Sequence, residues 1–363
     1  VARKGKKWVV VVDGKEGPEY EDTGGLPVFS PDGRRVGYPA WRGEKEFIVL
    51  DGKEGPEYDG VGEEDPIFSP DGTRVAYGAY KEGKWLVVLD GQEGLPYDEI
   101  GLRTPVFSSD GKRVAYVASK GEKQLVVLDG REGPHYDAIA GEYNDLRFSP
   151  DGTRLAYVAQ RAGKWHAVVD DKEGPPYDAI VYLTSVFSPS GRHALYYAAK
   201  SGKRYIVLDG QESGPYDKIR AVRFTPGDER LVYVAQQGQK WVTIPEGKVI
   251  AEGCGISQAR FSADGKRLAY CVERNGRRLF VLDGTEGAGY DVVSSITFSP
   301  DSRHVAYIGT REGVLGGVEY LLLDGKEGPP YESVQTLCFS ADSKHLAYVA
   351  KKCAGLVDIA IAA

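Results

Sequence analysis

Phe68-Ser69-Pro70-Asp71-Gly72-Thr73-Arg74-Val75-Ala76-Tyr77 is the stretch whose recurrence decides the fold. Its phenylalanine returns in the same local phrase at Phe29, Phe68, Phe107, Phe148, Phe187, Phe224, Phe261, Phe298 and Phe339, with gaps of 39, 39, 41, 39, 37, 37, 37 and 41 residues. Nine copies follow one another with no linker or change of composition between them, which points to one array rather than a set of independent domains. Inside the phrase, proline presets one turn angle, aspartate caps neighbouring amides and glycine accepts a positive φ, so Ser69 to Gly72 turns the chain. Arg74 to Ala79 then reads as a strand, and Lys81 to Lys84 breaks it. Trp85-Leu86-Val87-Val88-Leu89 is a strand of the kind buried on both faces, and it stops at Asp90-Gly91, a strong hairpin signal. A weaker fourth strand is expected around Tyr97 to Ile100, and no window has the apolar period of a helix.

A four-stranded unit of this length cannot cover both of its own faces, so copies must pack face to face; set radially, they also protect their sheet edges. The expected fold is therefore all-β, a single nine-bladed β-propeller of four-stranded blades over residues 1–363. Trp8 to Val12, followed by Asp13-Gly14, reads as a third strand with a fourth near Tyr20, while residues 337–349 supply a first and a second. The ring is thus expected to close by pairing N-terminal strands at about 8–22 with C-terminal strands at about 336–350. Within the tail 354–363, Leu356 to Ile361 has three readings: a competing third strand, an added edge strand, or a contact with another chain.

The phrase FSPDGxRxAY, intact at Phe68 to Tyr77 and at Phe148 to Tyr157, resembles the WD40-like repeat of TolB-type bacterial propellers along essentially the whole chain. The resemblance implies a propeller that carries protein contacts, a ligand site or an attached hydrolase domain, in a bacterial extracytoplasmic setting. Fold likeness of this kind sets an expectation for architecture and leaves function to the site.

Composition narrows the classes. Acidic residues outnumber basic ones by 53 to 46, the formal net charge is -7 and the pI is near 5.5, which argues against a general binder of nucleic acid or anionic membrane. No apolar run approaches the roughly 18 residues of a membrane span, and residues 1–8 lack the apolar core of a signal peptide. Cys254, Cys271, Cys338 and Cys353 have no metal-binding spacing and read as thiols or as one or two disulfides.

The most repeated polar residues read as scaffold. The turn aspartates, such as Asp32, Asp71 and Asp110, and the hairpin aspartates, such as Asp51, Asp90 and Asp129, are each explained by their own turn. A ring of them holding calcium is the competing reading, so no cofactor is expected beyond such a channel or turn-bound cation. A basic residue precedes strand two in every copy: Arg35, Arg74, Arg113, Arg154, His193, Arg230, Arg267, His304 and His345. Each is expected to lie along its own sheet with its head near a turn aspartate. The strand-two tyrosines and the Tyr-Asp pairs read as packing between copies. His135 and His166 stand apart from that column, and no nucleophile elbow, phosphate loop or zinc-binding helix motif occurs.

Function is expected where copies differ, in the segments thought to connect strand four to the next strand one. The candidates there are Glu63, Glu64, Asp65, Arg103, Tyr143, Asn144, Asp145, Tyr182, Arg220, Arg223 and Arg260, acidic on early copies and basic on later ones. Copy seven, where Trp241 to Gly247 replaces the usual hairpin phrase, offers a second docking place near Lys248 to Gly253. These features suggest a non-enzymatic scaffold for a protein or peptide partner or a polar ligand, without a nucleic acid partner. Two alternatives remain: a propeller-type hydrolase or lactonase with its site at the channel mouth, and an assembly subunit that uses its tail as an edge strand.

Overall fold

A computed structural model describes residues 1–24, 26–62, 66–101, 105–140, 146–181, 186–225, 231–244, 249–252, 255–313, 316–352 and 357–362, without the side chains of 181, 313, 316 and 357–362. Every regular element among them is a β-strand, and every pairing is antiparallel. The strands form ten sheets, of which the first and last have three strands. In a representative sheet, Val75–Lys81 pairs with Lys84–Leu89, which pairs with Gln92–Glu93, and Tyr97 adds a bridge to Trp85. The chain divides into two compact units: Val1–Ser201 with Ile206–Glu212, and Gly202–Tyr205 with Ser213–Ala363.

Turn chemistry sets the frame of each sheet. At Asp90-Gly91 both residues have positive φ, 52° and 80°, the geometry of a two-residue hairpin whose twist matches its strands. Asp90 Oδ1 accepts the Val75 N–H at 2.9 Å, tying the end of strand three to the start of strand two. In the other turn Ser69 is fully buried; its hydroxyl donates to Asp71 Oδ1 at 2.5 Å and accepts the Arg74 N–H at 2.9 Å. Asp71 Oδ1 also accepts the Thr73 N–H, so a carboxylate two residues after a serine holds the whole turn.

Packing within each unit joins consecutive sheets face to face. In the first unit, Ala115, Val117, Val126 and Tyr136 of one sheet meet Leu155, Tyr157, Ala159 and Val168 of the next. In the second unit, Ala269, Cys271, Phe280 and Tyr290 meet Val293, Val305, Tyr307 and Leu322. The strand-two alanines Ala76, Ala115, Ala269 and Ala306 are completely buried, and Ala115, Ala269 and Ala306 share clusters with Tyr157, Tyr307 and Tyr348 of the next sheet.

Two expectations are corrected. The first concerns Tyr97 to Ile100, which is not one strand: Tyr97 closes its own sheet, whereas Glu99–Ile100 already pairs with Ser119 and Ala118 of the next copy. Strand one of that copy is therefore in two pieces, Glu99–Ile100 and Val106–Phe107, both on Val114–Lys120. Ile100 to Val106 advances six residues along strand one against three along strand two. In the second unit, Ile219 to Arg223 advances four against three, a single-residue bulge at Ala221 with φ 53°. The two additional residues account for gaps of 39 rather than 37, the eight-residue step from Ile139 to Arg147 accounts for the 41 between Phe107 and Phe148, and the longer strands Val305–Gly313 and Gly316–Leu323 account for the 41 between Phe298 and Phe339.

The second correction concerns the termini. Lys7–Val12 lies between Ala2–Lys4 and Lys15–Tyr20, and Leu346–Lys351 lies between Ser333–Phe339 and Val357–Ala362. Both edges of each central strand are taken locally, so strands 8–22 and 336–350 do not share a sheet, and the tail serves as a third strand. Val357–Ala362 fills the free hydrogen-bonding edge of Leu346–Lys351 along its whole length, which leaves that strand no edge for another partner.

Candidate functional site

The repeated charges are engaged in the frame. Arg113 Nε donates to Asp129 Oδ2 at 2.9 Å, and its Nη1 donates to the Thr153 carbonyl of the next copy at 2.7 Å. The guanidinium also lies 6.0 Å from the centre of the Phe148 ring in that copy. Arg35, Arg74, Arg154 and Arg267 repeat this arrangement. The arginine head does meet an aspartate of its own copy, the one in the hairpin after strand three rather than the one in the Ser-Pro-Asp-Gly turn, and its reach into the following sheet makes it a cross-link.

The Tyr-Asp pairs behave alike. Tyr97 meets Tyr116 of the next sheet edge to face at 6.1 Å, and Tyr136 meets Tyr157 at 6.2 Å. Burial raises the pKa of Tyr196 and of Tyr307 to about 12, consistent with rings held as neutral packing groups. Asp98 takes Lys84 Nζ at 2.5 Å on one oxygen and the Gly121 N–H at 2.7 Å on the other. The Lys84 bond, then the Gly121 amide, holds the Asp98 carboxyl below the usual carboxylate range. Ser69, then Thr73, does the same for Asp71. Among the described residues no three His, Cys, Asp or Glu side chains come together as a metal site.

Other singled-out residues are placed as follows. His166 is buried at a position occupied by Leu86 and Leu125 in neighbouring copies, with Nδ1 2.9 Å from the Gly174 carbonyl. Cys271 is a buried free thiol, pushed up to about 12 by burial, and Cys338 is an exposed free thiol. Cys254 and Cys353 lie outside the described residues. Copy seven keeps a four-stranded sheet despite its altered phrase, with Lys240–Ile244 and Val249–Glu252 as strands three and four. Lys248 and Gly253 lie outside the described residues.

Of the variable-segment candidates, Glu63, Glu64, Asp65, Arg103, Tyr143, Asn144, Asp145 and Tyr182 lie outside the described residues. Arg220, Arg223 and Arg260 are described and exposed. They belong to strand one, at its bulge, and not to a connection between strands four and one. The strand ones of the second unit, Lys218–Phe224, Ile256–Phe261, Val292–Phe298 and Ser333–Phe339, lie side by side in that order. Arg223 and Arg260 hold equivalent registers, opposite Val232 and Ala269, so they are neighbours on that surface. Thr297 and Cys338 continue the row opposite Ala306 and Ala347. Arg220 lies 5.9 Å from the Trp241 ring centre, and Arg260 donates to the Ala259 carbonyl at 2.9 Å. The positive-φ bulge residues Ala221, Gln258, Ser295 and Thr336 recur at the same point of each strand. Sequence reasoning missed the row as a unit, and the drop in repeat length from 39 to 37 was the available signal.

No family model and no curated protein matches the chain. Among solved structures it is similar to a eukaryotic initiation factor at 12% identity, over 87% of this chain and 89% of that one, with a TM-score of 0.36. It is similar to the β-propeller domain of the trilobed protease from Pyrococcus furiosus at 13% identity, over 90% and 96%, with a TM-score of 0.31. It is also similar to a structure from an analysis of two prolyl endopeptidases at 12% identity, over 91% of this chain and 54% of that one, with a TM-score of 0.27.

Proposed function

We propose that the chain is a non-catalytic, nine-repeat scaffold of the propeller type, which binds a protein or peptide partner through the segments set into strand one. One observation supports this above the others: the repeated carboxylates and arginines are committed to holding turns and successive sheets, while strand one carries what varies between copies. Residues fixed on bulged strands lose little freedom on contact, which favours binding by a preorganised surface. Exposed Arg220, Arg223 and Arg260 give the row in the second unit a basic character suited to an acidic segment of the partner.

The test is cross-linking and co-purification from the native source, with the captured protein identified and its recovery compared between the wild type and R220E/R223E. The expected result is at least a roughly tenfold loss of that protein, with the variant still folded and its stability lowered by no more than about 0.5–1 kcal/mol from the lost Arg220–Trp241 contact. Equal recovery by the variant overturns the assignment of this row.

A further inference from the structure

Five copies place an arginine in the same cradle. Arg35, Arg74, Arg113, Arg154 and Arg267 each set Nε 2.8–3.0 Å from the hairpin aspartate. Each sends Nη1 to a backbone carbonyl just past the turn of the following copy, namely that of Thr73, Lys112, Thr153, Arg192 or Arg303. Each guanidinium lies 5.2–6.0 Å from the centre of that copy's phenylalanine ring.

The cradle built on Phe339 has the frame without the cation. His304 stands in the arginine position, and its Nδ1 takes Asp324 Oδ2 at 2.7 Å, replacing the Nε contact. The imidazole ends there. No described cation covers Phe339, and a cleft of about 410 Å³ opens beside His304, Leu323, Phe339, Ser343 and Lys344. The neighbouring cradle, which holds Arg267, is its twin. Asp264 N–H donates to Ser302 Oγ at 3.0 Å in one, and Asp301 N–H donates to Ser343 Oγ at 3.0 Å in the other, so both turns stand at the same spacing. The side chain of His304 is 46% exposed where that of Arg267 is 29%.

We propose that this cleft binds a guanidinium group from outside the fold, with the ligand's plane over Phe339 and an N–H donated to the Lys344 carbonyl. Asp301 and Asp342 on its lining add carboxylate charge, opposed by Arg303 and Lys344, so recognition depends on the flat, stacking shape of the cation more than on charge. The site stands at the end of the last strand one, on the residue after Cys338, but uses none of the row's arginines, so its test does not depend on the outcome for R220E/R223E.

The test is a titration monitored by the amide signals of Ser343 to His345, using N-acetyl-arginine amide, methylguanidinium and free arginine as ligands and N-acetyl-lysine amide as control. The expected result is saturable shifts with a Kd on the order of millimolar for guanidinium ligands, and a response at least about tenfold weaker to the lysine amide. Binding of free arginine and methylguanidinium as strong as that of the capped amide identifies a small-molecule guanidinium as the source. Preference for the capped amide identifies an arginine side chain in a polypeptide. H304R fills the cleft from within, by analogy with Arg267, and should abolish the shifts while the protein stays folded; F339L removes the ring and should weaken them independently. Absence of saturation, an equal response to the lysine amide, or undiminished binding by both variants overturns the proposal.

Discussion

Tyr157→Ala is expected to destabilise the first unit by about 3–5 kcal/mol, the range for removing a large buried aromatic side chain. Tyr157 is 1% exposed and lies where two sheets meet, edge to face with Tyr136 at 6.2 Å and in one cluster with Val126, Leu155 and Val168. Truncation leaves a ring-sized cavity that the flanking strands cannot collapse into, because their hydrogen bonds to Lys164–Val169 fix the spacing. Chemical denaturation followed by the fluorescence of Trp165, which faces Gln160 across that hairpin, reads the loss. A change below about 1 kcal/mol, the ordinary range of a surface substitution, would show that consecutive sheets are not packed through this ring.

Trp241→Ala should have an effect of the same size, about 3–5 kcal/mol, in the second unit. Trp241 is 1% exposed and packs with Val234, Ala251, Ile256 and Val272 of its own and the next sheet. Its Nε1 is buried with no hydrogen-bond partner among the described residues, so the indole contributes through area, shape and the contact of its face with Arg220 rather than through a hydrogen bond. Trp241→Phe should consequently cost under about 1.5 kcal/mol, as a smaller ring keeps most of the contact and removes an unpaired donor. Hydrogen exchange at Val242 and Val272 distinguishes the two variants; equal loss of protection in both would assign a specific role to the indole nitrogen.

Much of this frame was legible in the sequence because turn chemistry is local. Asp-Gly at the end of an apolar strand, and serine two residues before aspartate, each name their own hydrogen bonds, and Asp90 and Ser69 make them. Tyrosine pairing followed from one aromatic in strand two and another at strand four in the copies that keep the Tyr-Asp phrase. What stayed hidden was non-local or too short to have a period. Glu99–Ile100 and Val106–Phe107 are two-residue pieces with no alternation to detect, so the variable segment looked like a connection rather than an interruption of strand one. The tail was one of two apolar partners open to Leu346–Lys351, and sequence alone does not rank them. The vacant cradle at Phe339 needed the reach of Arg267 into the next copy before a histidine in its place meant anything.

The central claim is a division of labour: repeated side chains hold the sheets, and the side chains of strand one that vary between copies are left for contact with a partner. The direct measurement sets R113Q beside R220E/R223E and records denaturation midpoint and partner recovery for both. Arg113 joins Asp129, the Thr153 carbonyl and Phe148, so R113Q should lose about 1–2 kcal/mol of stability at a partly exposed site while keeping the partner. R220E/R223E should lose no more than about 0.5–1 kcal/mol, the worth of the Arg220–Trp241 contact, and lose the partner. The opposite pattern, with R113Q stable but unable to bind and the strand-one variant unfolded or fully competent, would contradict the account.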